Sequence, residues 1–360
     1  MDSFFTKKIC SNSEVIETLT HYLDEFPGLK SSAIRLARYL VYTKNYEQFI
    51  SAVRNRQVAI REYDENLADY FPIMIFAFAS PLAYEKNSRA GIPEDITLQT
   101  LRDINVWIDN FRLATGRWGL SEYFWLVKHY SGNLFQIGLF QYELYPFPDW
   151  AYIFEHHSTG EQVVLAPDSE VTATGHIIGS SGEDDCLFST AFKIKNHAFQ
   201  GCLIDTQKGI VQNKRIELPL DDWNLILQPG DLTLFVHIRQ GEKMDKRACL
   251  DSMEQAKKFY YQYFPEIKPA AFISKSWLLD PNLVNILHEN SNIVKFMHLF
   301  HKVPVYERVP MILERVFGIG TEMKNIKDAP ENTTLQKNLK TYLLQGGKVY
   351  TTGGYIPIWF

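Results

Sequence analysis

Residues 230–281 read GDLTLFVHIRQGEKMDKRACLDSMEQAKKFYYQYFPEIKPAAFISKSWLLDP. Leu232–Ile238 is an apolar, branched run of strand length, followed by a polar turn around Gly241. The spacing then predicts an amphipathic helix over 245–264, because Cys249, Ser252, Met253, Ala256, Phe259 and Tyr260 recur at three and four residues. A second apolar strand is predicted over 270–274, running into Ser276, Trp277, Leu278, Leu279, Asp280 and Pro281. A strand, loop, helix and strand joined by short connections favours parallel pairing of the two strands. The loop after the first strand opens onto a helix N-terminus, where N–H groups without helical partners can hold an anion.

Outward from this unit, the chain changes period once. Residues 1–133 read as helical, with Ser11 and Glu14 spaced as a capping box for a first helix carrying Val15, Ile16, Leu19, Tyr22 and Leu23. Residues 65–86 are apolar on more than one face, which predicts a helix at the centre of this region, broken or kinked by Pro72 and Pro81. A further helix opens at Pro93 and runs to Thr115. From Leu134 the pattern becomes strand-like: LFQIGLFQYEL, then AYIFEH and EQVVLAP as a hairpin, then a polar loop over 168–185 and more short strands. Further on, 290–301 reads as a helix, 303–316 as extended and 348–358 as a closing strand. Helices first and a mixed sheet after predict an α+β fold with an α/β-like C-terminal half, divided into a mainly helical domain over 1–166 and a second domain over 167–360.

Composition narrows the partners. With 360 residues and 46% hydrophobic content the chain holds enough apolar mass for two cores. The balance of 42 acidic against 37 basic residues, net −5, carries no basic footprint for nucleic acid. Cys10, Cys186, Cys202 and Cys249 form no C-x-x-C pair, which argues against structural zinc or a disulfide framework and for reduced thiols in the cytoplasm. The N-terminal MDSFFTKKICSNSE has no apolar run of signal-peptide length and no segment approaches the roughly 18 uninterrupted apolar residues of a membrane span, so no membrane partner is expected.

Two blocks carry a family resemblance. One is GRWGLSEYFWL at 116–126, continuing through His129, Gly132 and LFQIGLFQYEL. The other comprises Trp223, Gly230-Asp231, His237-Ile238, Ala248-Cys249, Ser252, the run 276–281, and Ser291-Asn292-Ile293. Together they resemble a bacterial acyltransferase family that joins an N-acyltransferase helical domain to a domain like the GCN5-related N-acetyltransferases. The resemblance implies an acetyltransferase-like mixed sheet in which acyl- or acetyl-coenzyme A lies where two neighbouring strands splay apart. It also implies that the pyrophosphate meets the loop formed by Ile238, Arg239, Gln240, Gly241 and Lys243. That loop departs from the usual phosphate pattern, having a single glycine two residues after Arg239. The literal match Arg315-Val316-Phe317-Gly318-Ile319-Gly320 precedes no sequence that promises a helix.

Acyl transfer from a thioester requires a donor for the carbonyl oxygen, a base for the acceptor and an acid for the thiolate. His237, at the end of its strand, suits a base, or a hydrogen-bonded structural role. Cys249, one turn into the helix, suits an acyl-cysteine nucleophile with a lowered pKa, or plain core packing. Ser276, Trp277 and Asp280 either line an acceptor pocket at strand C-terminal ends or, for Asp280, cap the next helix. The expected activity is metal-free transfer of an acyl group to an amine or hydroxyl of a small-molecule acceptor. The alternative is a catalytically silent relative that senses a small ligand or binds a protein.

Overall fold

In the computed structural model the described residues are 4–43, 45–239, 241–318 and 320–358. They form two compact units, one of Met1–Ile137 with Gln141–Glu143, the other of Gly138–Phe140 with Leu144–Phe360. The division falls in a strand pair well before the expected boundary at 166. The AYIFEH and EQVVLAP strands pair with later strands of the second unit and so belong to it.

The first unit is built from α1 (Ser13–Glu25), α2 (Pro27–Tyr42), α3 (Tyr46–Arg61), α4 (Glu65–Arg89), α5 (Glu94–Leu101), α6 (Ile104–Thr115) and α7 (Tyr123–Tyr130). Asn12, one residue past the expected Ser11, caps α1 by accepting the Val15 N–H. The helix expected from Pro93 to Thr115 is two helices, parted at Arg102-Asp103. The central helix α4 runs 25 residues through both prolines. Pro72 has no N–H for the Ala68 carbonyl one turn back, and the Gln57 amide on α3 donates to that carbonyl instead, at 3.0 Å. By length and hydropathy α4 is apolar enough to cross a membrane, and 78% of that stretch is buried inside the fold. The GRWGL block is a surface clamp: Arg117 pairs with the exposed Glu65 and the buried Asp69, and Trp118 Nε1 donates to Glu14. Gly119 is required there, since a Cβ would lie 2.6 Å from the Phe111 ring.

The strands are β1 (Leu134–Ile137), β2 (Phe140–Pro146), β3 (Tyr152–His156), β4 (Gln162–Leu165), β5 (Ser169–Thr172), β6 (Cys186–Thr190), β7 (Lys193–Lys195), β8 (Ala198–Asp205), β9 (Ile210–Pro219), β10 (Trp223–Leu227), β11 (Leu232–Ile238), β12 (Ala271–Ser276), β13 (His301–Pro304) and β14 (Thr352–Pro357). The helices of this half are α8 (Lys246–Tyr263), α9 (Asn292–Met297), α10 (Met311–Phe317) and α11 (Thr334–Leu344). β1 closes the first unit. In the second unit β11, β12, β14 and β13 lie side by side in that order, with β2 on the far side of β11. A second sheet runs β10-β3-β4-β8-β7, with β9 also on β8. The sheets share one apolar core, in which Ile153, Val164 and Ile204 meet Ile273, Val303 and Tyr355.

Three local expectations change. Residues 168–185 are not all loop, because β5 pairs with β6. Residues 303–316 are not one extended segment: β13 stops at Pro304 and α10 begins after Pro310. The closing strand is shorter than 348–358, since Lys348 and Tyr350 precede it.

Candidate functional site

β11 and β12 are parallel, as the crossover predicts, and their Cα partners are Leu234 with Phe272 and Phe235 with Ile273. Both strands run on past this pair. There the Val236 carbonyl accepts the Ser274 hydroxyl at 3.1 Å, a side-chain bond that holds the two strands together. Their C-terminal ends lead to the loop that opens α8, the edge at which open α/β sheets bind ligands. Phe235 and His237, two residues apart, share one face of β11, and their rings stack with centroids 4.6 Å apart.

The loop has a partial fit to a diphosphate. Gly241 has φ +84, which favours glycine, and a basic pair, Arg239 and Lys243, flanks it. Among the described residues the amides of Gly241, Lys243 and Met244 donate to no other group. Against this, Arg239 pairs with Glu242 at 3.6 Å. The Asp245 carboxylate caps α8 by accepting the Arg247 and Ala248 N–H groups, which places a negative charge at that helix end. Gln240 lies outside the described residues.

On the core side of the sheet three segments line a cleft of about 240 Å³. The segment after β2 contributes Asp149 and Trp150, the segments around β5 contribute Pro167 and Ile177, and the end of β13 contributes Val305 and Tyr306. Trp150 is held edge-on to Phe147 and to Phe235, at 5.9 and 6.3 Å. Phe235 thus connects the stacked His237 ring to the cleft wall. Gly353 on β14 makes room for Trp150, whose Cε3 would lie 3.2 Å from an added Cβ. Burial and then the nearby Asp168 hold the Asp149 carboxyl above its usual range.

Residues 134–356 match the GNAT-like C-terminal domain, and residues 16–132 match the N-acyltransferase N-terminal domain. The chain belongs to this acyltransferase-type family. Solved structures with the same fold include an acyltransferase in complex with decanoyl-CoA, at TM-score 0.61 and 21% identity, covering 98% of this chain and 85% of that one. An acyltransferase mutant with octanoyl-CoA has TM-score 0.61 and 16% identity, covering 99% and 87%. An acyltransferase with decanoyl-CoA and teicoplanin has TM-score 0.54 and 18% identity, covering 83% and 69%. At these identities the likeness is one of fold. No curated protein sequence matches this chain.

Within the GNAT-like domain the residues singled out from sequence separate. His237 lies near the end of β11, and Arg239, Gly241 and Lys243 follow it on the way to α8. Cys249 is placed for core packing rather than for a nucleophile: it is fully buried, and burial followed by the Asp245 charge pushes its thiol up to about 11. A helix N-terminus lowers a thiol pKa only where its dipole is not already offset, and Asp245 offsets it here. Ser252 accepts the Leu139 and Phe140 N–H groups and so fixes the turn before β2. Ser276 caps the following turn through the Leu278 N–H, and Trp277 packs on the apolar cluster around Leu283 and Val294. Asp280 is fully buried, accepts the Asn282 and Tyr350 N–H groups, and is pushed by burial up to about 7. None of these three is among the residues lining the cleft.

Sequence reasoning missed the polar strap that backs the cleft. Glu183 receives the Thr172 and Thr174 hydroxyls and the Tyr350 hydroxyl and pairs with Lys348. Burial alone would raise its carboxyl, but the hydrogen bonds from Lys348, Thr174 and Tyr350 hold it at about 2. His176 stacks on Tyr350 with centroids 3.5 Å apart, and burial lowers it to about 4. Lys348 and Tyr350 lie more than 160 residues further along the chain than Glu183, so no local motif announces the cluster.

Proposed function

We propose that this chain transfers an acyl group from acyl-coenzyme A to an amine or hydroxyl of a small-molecule acceptor. The observation that carries the proposal is the parallel pair β11 and β12, whose C-terminal ends lead to the basic, glycine-bearing loop that opens α8. In this reading the donor lies at those strand ends, and Arg239, Gly241 and Lys243 meet its diphosphate. The acceptor heteroatom attacks the thioester carbonyl carbon, the C–S bond breaks, and the electron pair leaves on sulfur. His237 takes the proton from the acceptor, which the thiolate then recovers to leave as free thiol. Octanoyl- and decanoyl-CoA are the natural first donors to test, since relatives of the same fold hold them, and the glycopeptide held by one relative supports a small-molecule acceptor.

Titration with decanoyl-CoA, followed by thermal shift, tests the reading. Saturable stabilisation is expected, and no shift at millimolar donor refutes it. With binding established, His237→Ala should lower turnover by about 100-fold or more while donor affinity changes little. Unchanged turnover removes His237 as the base. The competing reading, a catalytically silent ligand sensor, draws its support from Asp245, whose carboxylate already occupies two amides at the α8 N-terminus.

A further inference from the structure

We propose that the cleft beside Trp150 is the acceptor subsite, and that it selects a cationic amine attached to a flat apolar body, with Asp149 as the specificity-determining residue. This rests on the acyl-transfer reading, which leaves the acceptor open between amine and hydroxyl.

The cleft offers two kinds of surface. Trp150 and Tyr306 supply aromatic walls, and the Tyr306 ring is seated against Gly179, where an added Cβ would lie 2.9 Å from it. Tyr306 is 54% exposed, so much of its ring faces outward. Such walls favour a flat apolar group and attract a cation to their faces. Asp149 supplies the charge. The cations nearest the cleft are committed elsewhere: Lys275 pairs with Glu307 at 3.0 Å and donates to the Tyr306 carbonyl, and Arg308 makes a two-pronged bond to Asp184. Among the described residues no hydrogen bond or ion pair reaches the Asp149 carboxylate. A cation supplied from outside would meet that carboxylate and relieve its repulsion with Asp168.

Position fits the role. The Trp150 wall of the cleft packs against Phe235, on which His237 is stacked. An acceptor held against Trp150 therefore lies on the side of the sheet that carries the His237 ring.

The test compares tryptamine with its uncharged counterpart tryptophol, by calorimetric titration of the full chain and of Asp149→Asn, without acyl-CoA. Asp149 is exposed and the replacement is isosteric, so equal melting temperatures verify that the variant folds. Tryptamine is expected to bind the native chain at least about fivefold more tightly than tryptophol, and Asp149→Asn to erase that difference without changing tryptophol binding. Equal binding of the two probes, undiminished tryptamine binding by Asp149→Asn, or no binding of either overturns the proposal. Decanoyl-CoA binding is read separately, so a chain that binds the donor but fails these comparisons refutes the cleft alone. A chain that passes them but does not bind the donor refutes acyl transfer.

Discussion

Asp280 and His176 sit on two sides of Tyr350, and their titrations oppose each other. The Tyr350 N–H donates to Asp280 at 2.7 Å, while His176 stacks on the Tyr350 ring. Burial raises the Asp280 carboxyl from 3.8 to about 7. Between those values the folded chain keeps a proton that the unfolded chain has released, so this group makes stability fall as pH rises. Three pKa units at about 1.36 kcal/mol each amount to about 4 kcal/mol. Burial lowers His176 from 6.5 to about 4. Between those values the unfolded chain holds the extra proton, so this group makes stability rise with pH, by about 3 kcal/mol. The native chain should therefore show little net slope from these two groups between pH 4 and 6.5, the two contributions nearly cancelling. Asp280→Asn removes one side of the balance. Its stability relative to the native chain should climb by about 4 kcal/mol from about pH 4 to pH 7.5. His176→Phe keeps a ring on Tyr350 and should unmask the opposite slope. Urea unfolding followed by tryptophan fluorescence, in half-unit pH steps, measures both, and a level difference between Asp280→Asn and the native chain across that range refutes the reasoning.

Two further outcomes follow from packing. Iodoacetamide should label the exposed Cys186 in the folded chain and spare Cys10, Cys202 and Cys249, and Cys249→Ala should change acyl transfer by less than about twofold; an acyl group found on Cys249 by mass spectrometry would contradict this. Gly353→Val would drive a side chain to within 2.6 Å of Val305 and 3.2 Å of Trp150, costing about 1–3 kcal/mol and shifting tryptophan emission, whereas an unaltered melting curve would show that the cleft wall is not packed this way.

The strand–helix–strand unit was legible because each of its parts carries a local signal: an apolar run, Asp245 as a cap, and a stripe at helical spacing that α8 buries as Cys249, Met253, Ala256 and Phe259. The family was legible from its two blocks. The cleft was not, because Asp149, Ile177 and Tyr306 come from three separate loops and meet only through the sheet topology. The only local hint was a tryptophan set in Pro148-Asp149-Trp150, where an exposed turn would seldom spend so large a ring. α10 was lost between Pro304 and Pro310, where two prolines make an extended reading natural although the second merely starts the helix. The buried state of Asp280 was hidden for a similar reason: the Asp-Pro pair announces a cap, but the second acceptor oxygen serves Tyr350, far along the chain.

The bond from Gln57 to the Ala68 carbonyl ties two positions on different helices into one unit of inheritance. As long as residue 72 is proline, a chain that loses the amide at 57 leaves a carbonyl unmet inside the bundle, and so drift at 57 is closed. Once residue 72 regains an N–H, that constraint lapses and 57 becomes free to vary. Loss of the Gln57 amide is therefore expected to cost about 1–3 kcal/mol beside Pro72, and less in a chain whose residue 72 carries an N–H.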